Sequence, residues 1–503
     1  DFARRLSALG WEIVSTGGTA AHLAAAGIAV TDASRVTGFP EMLGGRVKTL
    51  HPHIFAGILA RRGQDDDMET IRSHGILPLD LVVVNLYPFA ETLAREGITD
   101  ASVIEQIDIG GPSLLRAAAK NHGSVWVVCD PADYPRVLGA LEKPTENAAA
   151  LRRELAARVF RHTAAYDAVI ADWFATQTDG PEAVPHEFVI SGVLQQGLRY
   201  GENPHQKAAL YRDAIPAAVA GVSDCRQLQG KELSYNNILD LSAALELSRE
   251  FASDSDPFCC ILKHNNPCGA ALADELVTAF ERAWEGDSEA AYGSVIGMTR
   301  EVDAATASAI ASRFVEIVVA PRFSAEALEI LSAKKNLRLM AFDKPLISAQ
   351  AARWTARRVS GGWLRQEADP AGVDRSLWSV ASQRQPTPEE MDDCEFLWKI
   401  VKHVRSNAIC VGSGRTLLGC GAGQMSRIDS VRIAIGKARG RAARLALASD
   451  AFFPFRDGAD LAAAGGVCVV IQPGGSIRDD EVRAACDEHG MAQVLSGRRH
   501  FLH

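Results

Sequence analysis

The chain has 503 residues, of which 47% are hydrophobic and 23% are charged, and its formal net charge is −9. This length exceeds what a single hydrophobic core supports, so we expect two or three domains, and the acidic balance argues against a nucleic-acid surface. Ten cysteines without a C-x-x-C pair predict reduced thiols in a cytoplasmic protein, and Gly and Pro interrupt every apolar stretch long enough to span a membrane.

The first part of the chain alternates short apolar runs with helical stretches, which is the pattern of βαβ units around a parallel sheet. The chain begins at Asp1 inside a predicted helix that reaches Leu9, so we expect its true amino end to lie upstream. The apolar runs predict strands at 11–15, 28–30, 81–84 and 125–128, and helices at 20–26 and 113–121.

A helical pattern rich in Ala, Leu and Arg covers 132–175, and a polar segment with Pro and Gly at 176–186 predicts a domain boundary. We therefore predict a first domain at 1–131, a helical connector at 132–186 and a second domain at 187–503. The second domain again mixes strands and helices, without a short-period repeat.

A glycine-rich segment between the first strand and helix contains Ser15, Thr16, Gly17, Gly18 and Thr19. The glycines allow backbone N–H groups to approach a ligand, and the hydroxyls and helix N-terminus favour an anion. This pattern indicates a nucleotide phosphate site. The alternative is an ordinary βα turn capped by Thr19.

Two further polar clusters follow in the same domain. Arg46, Lys48 and Thr49 place two cations and a hydroxyl together, although a solvated basic loop has the same pattern. Tyr87 follows the predicted strand 81–84, where it is either a general acid or a packed residue with a satisfied hydroxyl.

A third cluster surrounds Asp108, which is followed by Gly110 and Gly111. Backbone amides around one carboxylate can hold a developing oxyanion. The helix that follows carries Lys120.

The most informative segment is Lys263 and His264, followed by Asn-Asn-Pro-Cys-Gly. The apolar run 259–262 predicts a strand that ends at this pair, and we expect a tight Asn-Pro-Gly turn after it. Ligands in open α/β sheets bind at the carboxyl ends of strands, and imidazole titrates near neutral pH. The pair therefore indicates proton transfer. The alternative is a strand cap with two solvated side chains.

These motifs together resemble one family, the bifunctional purine-biosynthesis enzyme that joins 5-aminoimidazole-4-carboxamide ribonucleotide (AICAR) formyltransferase with inosine monophosphate (IMP) cyclohydrolase. The resemblance covers essentially the whole chain, and its motifs occur in the family's order at 15–19, 45–52, 85–89, 108–111, 117–121, 199–206, 263–269, 421–427 and 450–457. The family normally opens with a strand and a Ser-x-x-Asp-Lys loop that precede Asp1.

The resemblance implies a fold, two activities and an assembly. It implies an α/β protein with a methylglyoxal-synthase-like parallel-sheet domain, followed by a formyltransferase region of two cytidine-deaminase-like subdomains. The activities are formyl transfer from the co-substrate 10-formyltetrahydrofolate to AICAR, and dehydrative closure of the product to IMP. The family works as a homodimer with active sites at the subunit interface.

The resemblance also implies roles for individual residues. In formyl transfer we assign His264 as the base, Lys263 as the source of positive charge and of a proton, and Asn407 as an oxyanion donor, although Asn407 alone is more typical of a turn. In cyclisation Lys48 and Tyr87 transfer protons, Asp108 and Lys120 orient the amide, and Gly110 stabilises the oxyanion. Substrate-binding candidates in the second domain are Arg199, Tyr200, Asn203, Glu316, Arg427, Phe452, Phe453 and Arg499.

We predict no redox cofactor and no zinc. Pro267 and Cys268 are similar to the start of the zinc-deaminase Pro-Cys-x-x-Cys signature, but Ala271 occupies the second cysteine position. Two alternatives stay open at this stage: a formyltransferase whose first domain only binds nucleotide, and a dinucleotide enzyme based on the glycines at 419–423, whose spacing is not G-x-G-x-x-G.

Overall fold

The structure of the chain, a computed structural model, describes residues 1–93, 95, 97–143, 147–178, 184, 186–213, 218–347, 354–369 and 372–503. The chain divides into two compact units, the first built on Asp1–Val193 and the second on Leu194–Arg212 with the described residues from 218 onward. The predicted boundary at 176–186 lies partly outside the described residues. Within the described residues, no helix is both long enough and apolar enough to cross a bilayer.

The first unit is mixed α/β, with two pairs of short parallel strands. Its strands are β1 (Val14–Ser15), β2 (Thr31–Asp32), β3 (Leu81–Val83) and β4 (Trp126–Val128). Its helices are α1 (Phe2–Ala8), α2 (Gly17–Ala25), α3 (Ala33–Thr37), α4 (Pro52–Leu59), α5 (Asp65–Ser73), α6 (Phe89–Leu93), α7 (Asp100–Ile104), α8 (Gly110–Lys120), α9 (Tyr134–Glu142) and α10 (Ala148–Thr178).

The core of the first unit surrounds the fully buried strand β4. Apolar residues from α4, α8 and α10 pack around it, including Ile58, Leu115 and Val159. The predicted strands at 81–84 and 125–128 are confirmed to within one residue. The first unit also contains α9 and α10, which lie in the sequence that we assigned to a connector.

In the first unit one predicted strand is wrong, and so is the cap in the alternative interpretation of the glycine-rich segment. Residues 28–30 are not a strand, because the backbone pairs with the first strand one step later, through a bond from Thr31 N to Ile13 O of 2.8 Å. Asp32 then accepts from Ser34 N and caps α3, so β2 ends at once. Thr19 does not cap α2, since the helix begins at Gly17 with Thr16 as its N-cap residue.

The remaining strands are β5 (Gly192–Leu198), β6 (Ala208–Asp213), β7 (Arg226–Gln229), β8 (Phe258–Lys263), β9 (Asn266–Leu272), β10 (Ser294–Met298), β11 (Val315–Ala320), β12 (Arg338–Ala341), β13 (Trp354–Val359), β14 (Gly362–Glu367), β15 (Ser379–Val380), β16 (Ile409–Gly412), β17 (Leu417–Gly421), β18 (Leu445–Ser449), β19 (Val467–Gln472) and β20 (Ala492–Leu495). The helices are α11 (Tyr235–Arg249), α12 (Leu276–Gly286), α13 (Ala304–Ala311), α14 (Ala325–Ser332), α15 (Pro388–Val401), α16 (Arg427–Ala438), α17 (Asp457–Ala464) and α18 (Asp479–Glu488).

The second unit contains the same topology twice. One six-stranded sheet has the order β7-β12-β11-β10-β8-β9, and the other has the order β15-β20-β19-β18-β16-β17. In both, an antiparallel hairpin forms one edge, three strands run parallel in the middle, and an antiparallel strand closes the other edge. The predicted pair of related subdomains is therefore confirmed. We call them the first half and the second half.

The two halves share one hydrophobic core. Phe251 and Phe258 stack with ring centroids 3.8 Å apart, and Phe396 from α15 packs against both rings. The edge hairpins also touch, through a bond from Leu272 N to Arg415 O of 3.1 Å. The shared core fixes each half relative to the other, so residues at their junction can form one site.

Candidate functional site

The Lys263–His264 segment forms a tight β-hairpin turn. Lys263 ends β8 and pairs with Asn266, the first residue of β9. His264 and Asn265 between them have φ values of 53° and 62°, which is typical of a two-residue type I′ turn. The expected Asn-Pro-Gly turn is therefore wrong: Pro267 lies inside β9, an edge strand, where its missing N–H is tolerated.

The sheet edge that carries Lys263 differs from the one expected. Because β8 runs antiparallel to β10, the end of β8 lies beside the amino ends of the parallel strands β10, β11 and β12. Lys263 Nζ donates to Tyr292 O at 2.6 Å and to Gly293 O at 3.2 Å, just before β10. Glu316 near the start of β11 accepts from Asn237 Nδ2 at 3.0 Å.

A carboxylate that sequence reasoning missed supports the turn. Asp240 Oδ1 on α11 accepts a 2.7 Å hydrogen bond from Asn265 N. Burial raises the pKa of Asp240, and the nearby Glu316 charge adds to this, while the Asn265 N–H, His264 and Lys263 oppose it. Asp240 therefore lies within electrostatic range of Glu316, His264 and Lys263 at this edge.

Two predicted residues of the second half, Asn407 and Arg427, belong to a second cluster just before β16. Asn407 Nδ2 donates to Gln424 O at 2.9 Å and to Met425 O at 3.2 Å, and its Oδ1 accepts from Arg427 at 2.8 Å. The buried Arg427 also pairs with Asp450, which accepts from Ser406 Oγ at 2.5 Å. This cluster lies at the carboxyl ends of the parallel strands of its sheet.

One side chain joins the two clusters. Asn266 Oδ1 accepts from Arg405 N at 3.1 Å, and Asn266 Nδ2 donates to His264 O at 3.1 Å. Arg405 precedes Asn407 by two residues, so the amide of Asn266 connects the His264 turn with the Asn407 segment. The structure thus brings Lys263, His264 and Asn407 to one junction.

The other predicted binding residues differ in exposure. Arg427 is 7% exposed and bonded within the protein, and Phe453 is 1% exposed in the core of the second half. Phe452 is 36% exposed, so the two adjacent rings do not face one open space. Arg499 is exposed, with its guanidinium 4.7 Å from the Phe501 ring centroid.

Three predicted residues lie in the connection between β5 and β6. The Arg199 guanidinium lies 5.7 Å from the Tyr200 ring centroid. Asn203 bonds with its backbone N and its side chain to Gln206 Oε1, at 2.9 and 3.1 Å. Asn236 of α11 donates to Glu202 O at 3.5 Å, which places this connection near α11.

In the first unit, Lys48 lies against the predicted phosphate segment. A Cβ added at Gly17 would lie 3.3 Å from Lys48 Nζ, and a Cβ added at Gly45 would lie 2.9 Å from the same nitrogen. Lys48 Nζ is also 3.4 Å from Glu41 Oε1. The start of α2, with Ser15, Thr16, Gly18 and Thr19 around Gly17, therefore has a cation beside it.

Asp108 lies at the start of α8. Its Oδ1 accepts from Gly111 N at 2.7 Å, and its backbone N donates to Tyr166 Oη at 2.9 Å. Thr49 Oγ1 would lie 3.4 Å from a Cβ at Gly110, so the 46–52 segment reaches the same helix end. Burial raises the pKa of Tyr166, and the charge of Asp108 adds to this.

Three further residues complete the predicted set. Tyr87 is 51% exposed, and Lys120 is exposed at the last turn of α8. Arg46 forms an ion pair with Glu105. Lys48, Thr49, Gly110 and Asp108 thus lie together, while Lys120 is ten residues further along α8.

Cys268 and the glycine motif at 419–423 contribute to packing in the second unit. Burial raises the pKa of Cys268 to about 12, so its thiol stays protonated at neutral pH. No group of three His, Cys, Asp or Glu able to hold a metal occurs in the part of the chain that the structure describes. At Gly419 and Gly421 a Cβ would lie 2.0 and 2.1 Å from carbonyls of α16, so these glycines allow helix–strand packing.

The fold and these clusters define a two-unit α/β enzyme, with a candidate phosphate site in one unit and a Lys-His-Asn site in a duplicated second unit. The AICARFT/IMPCHase bienzyme family matches residues 118–437, and an MGS-like domain matches residues 1–113. The chain belongs to the AICARFT/IMPCHase bienzyme family. It is a bifunctional formyltransferase and IMP cyclohydrolase of purine biosynthesis.

Three relatives, each called bifunctional purine biosynthesis protein PurH, align with 100% of this chain. They are from Rhodopirellula baltica (52% identical, 96% of its length), Bacillus subtilis (48%, 96%) and Myxococcus xanthus (51%, 97%). Because the similarity includes the first unit, the alternative of a formyltransferase with a non-catalytic first domain is not favoured.

Proposed function

We propose that the second unit transfers the formyl group of 10-formyltetrahydrofolate to the amine of AICAR, and that the first unit closes the product to IMP with loss of water. The observation that carries the formyl-transfer assignment is the link between the His264 turn and the Asn407 segment through Asn266. We further propose a cytoplasmic homodimer, in keeping with the family resemblance.

The formyl acceptor amine is a weak nucleophile, because its lone pair is delocalised into a ring that carries a carboxamide. The enzyme must therefore remove a proton during attack, stabilise the tetrahedral oxyanion and protonate the departing folate nitrogen. His264 accepts the proton, directly or through the neighbouring carboxamide. Lys263, held by the carbonyls of Tyr292 and Gly293, supplies positive charge and a proton to the leaving side.

Asn407 donates to the oxyanion in this proposal. Of the two bonds that its amide nitrogen makes, the 3.2 Å bond to Met425 O is the longer one and the one that substrate replaces. Arg427 holds the amide oxygen, which fixes the orientation of the donor. Glu316, Arg199, Tyr200, Asn203, Phe452 and Arg499 are proposed to bind the ribotide and the pterin.

In the first unit, the carboxamide nitrogen attacks the new formyl carbon. We assign the phosphate to the start of α2. Lys48 and Tyr87 transfer protons, Asp108 and Lys120 orient the amide, and the backbone at Gly110 stabilises the oxyanion. This step needs no cofactor.

An assay that follows the two steps separately tests the proposal. Wild-type protein with AICAR and 10-formyltetrahydrofolate should release tetrahydrofolate and IMP, and the formylated intermediate supplied without folate should also yield IMP. The His264→Ala variant should lose at least about a hundredfold in formyl transfer, the lower range for general acid–base catalysis. Near-normal formyl transfer in that variant would contradict the assignment.

A further inference from the structure

Asn266 links the His264 turn to the segment that carries Asn407. Its Nδ2 donates to His264 O, within its own hairpin, and its Oδ1 accepts from Arg405 N, across the junction of the two halves. Its backbone pairs with Lys263. Through three different groups, this residue therefore contacts the backbone of the lysine, the backbone of the histidine and the segment that carries Asn407.

Other hydrogen bonds hold each of the two segments that Asn266 links. The His264 turn has two positive-φ residues in succession, and Asp240 fixes its other side through Asn265 N. The Arg405 end is fixed as well, because Gly423 N donates to Arg405 O at 2.7 Å and Ser406 N donates to Leu502 O at 2.9 Å. The amide of Asn266 thus connects two anchored segments on opposite halves.

We propose that Asn266 is a positioning residue, which sets the distance and orientation of His264 relative to Asn407. The proposal rests on the proposed function, since it takes these two residues as the base and the oxyanion donor. Misplacement of catalytic groups by about 1 Å costs on the order of a hundredfold in rate. Loss of the amide should therefore reduce turnover with little effect on ribotide binding.

Asn266→Ala removes both hydrogen bonds, and Asn266→Asp keeps the acceptor for Arg405 N but removes the donor to His264 O. We expect Asn266→Ala to lower kcat for formyl transfer at least about tenfold, with KM for AICAR changed less than about threefold, and Asn266→Asp to recover part of the loss. Asn336→Ala is the matched control, because Asn336 is exposed between α14 and β12, and it should leave both constants unchanged.

The readout that separates positioning from structural support is a double-mutant cycle. In a His264→Ala background, Asn266→Ala should add less than about twofold, because a residue that acts through His264 has nothing left to position. Conversion of the supplied formylated intermediate to IMP serves as the internal activity standard. If Asn266→Ala does not fold, Asn266→Asp replaces it in the double-mutant cycle. Its fold-loss in the wild-type background is then compared with its fold-loss in the His264→Ala background.

Three results would overturn the inference or its basis. Normal kcat in Asn266→Ala, with His264→Ala inactive, overturns the positioning role alone. An equal fold-loss from Asn266→Ala in both backgrounds assigns the residue a purely structural role. Near-normal formyl transfer in His264→Ala overturns the proposed catalytic roles instead, so the two failures are distinguishable.

Discussion

Glu250 shows how individual residues hold the second unit together. Its side chain is 2% exposed, and its Oε1 accepts from Lys402 at 2.8 Å and from His403 Nε2 at 2.9 Å. Its Oε2 accepts from Gly372 N at 2.8 Å. Burial alone raises the pKa of Glu250, but the hydrogen bond and charge of His403 and the charge of Lys402 outweigh it and lower this pKa to about 2.

This pKa gives a pH dependence with a definite sign. A carboxyl group whose pKa is lower in the folded state stabilises the fold above its unfolded pKa, which is about 4.3, and loses that contribution as the pH falls toward 2. The contribution at neutral pH is roughly 3 kcal/mol. Removing one partner of a buried pair costs about 3–5 kcal/mol, because the other charge stays buried.

We therefore expect Glu250→Gln to lower the free energy of unfolding of the second unit by about 3–5 kcal/mol at pH 7. The difference from wild type should shrink as the pH falls from 5 to 3, measured by urea denaturation at each pH. Glu246→Gln, in the last turn of α11 just before Glu250, is the control: Glu246 is 49% exposed and pairs with Arg249, so its loss should change stability by less than about 1 kcal/mol. An unfolding curve for Glu250→Gln that matches wild type at pH 7 would contradict this prediction.

Each residue of the site that the sequence analysis missed contacts a partner that is far from it along the sequence. Tyr166 meets Asp108 across 58 positions, and Asp240 meets Asn265 across 25. Asn266 lies in a segment that the sequence singled out, but its contact with Arg405 spans 139 positions. Local patterns indicate which residue types carry chemistry, but contacts at these separations depend on the tertiary fold.

Close packing between strands and helices explains several glycines at the scale of the element. At Gly421 in β17, a Cβ would lie 2.1 Å from Ser430 O of α16, and at Gly269 in β9, 1.9 Å from Ala283 O of α12. The two strands occupy equivalent places in the two halves. Both helices can therefore approach their sheets closely only because these positions lack a side chain.

We expect Gly421→Ala to lower the unfolding free energy by about 1–3 kcal/mol, because the strand and helix must separate to admit a methyl group. Gly436→Ala supplies the comparison within the same helix–strand pair: Gly436 is exposed on α16, and no atom lies within 4 Å of its added Cβ. That change should stabilise the helix by up to about 1 kcal/mol. Thermal unfolding of both variants tests this difference in unfolding free energy. Equal changes in the two variants would contradict the packing explanation.

Strands were predicted correctly where the run of apolar residues was continuous. The prediction was wrong where turn-forming residues lie inside a strand. The apolar runs at 125–128 and 259–262 gave correct strands, because buried strands need apolar residues on both faces. Asn-Pro-Cys-Gly has the composition of a turn, yet it starts β9. Pro267 fits there only because β9 is an edge strand, and the sequence alone does not reveal which strand is at an edge.

At the scale of the whole molecule, the duplication of the second unit is not visible as a short-period repeat in the sequence. The same order of strands and helices occurs twice, but the two halves contribute their candidate residues from opposite ends of their parallel strands. One half supplies Lys263 and His264 at the amino ends of its parallel strands, and the other supplies Asn407 at their carboxyl ends. The resemblance predicted two related subdomains, and the structure shows the strand order in which the two correspond.

The two catalytic steps are assigned to different units, so single substitutions should separate them. Lys48→Ala should leave formyl transfer unchanged and lower IMP formation at least about a hundredfold, because it removes a proton-transfer group and the cation beside Gly17. His264→Ala should have the opposite effect. Lys143→Ala in the first unit is the control for Lys48, because Lys143 is exposed after α9.

A mixture of the Lys48→Ala and His264→Ala proteins tests this independence most directly. With AICAR and 10-formyltetrahydrofolate, the first protein should release the formylated intermediate and the second should convert it to IMP. IMP should appear after a lag, because the intermediate must diffuse from one molecule to another before it is closed. The lag should shorten as the concentration of the His264→Ala protein is raised. If either variant loses both activities, each unit depends on the catalytic residues of the other, and the assignment of one reaction to each unit is wrong.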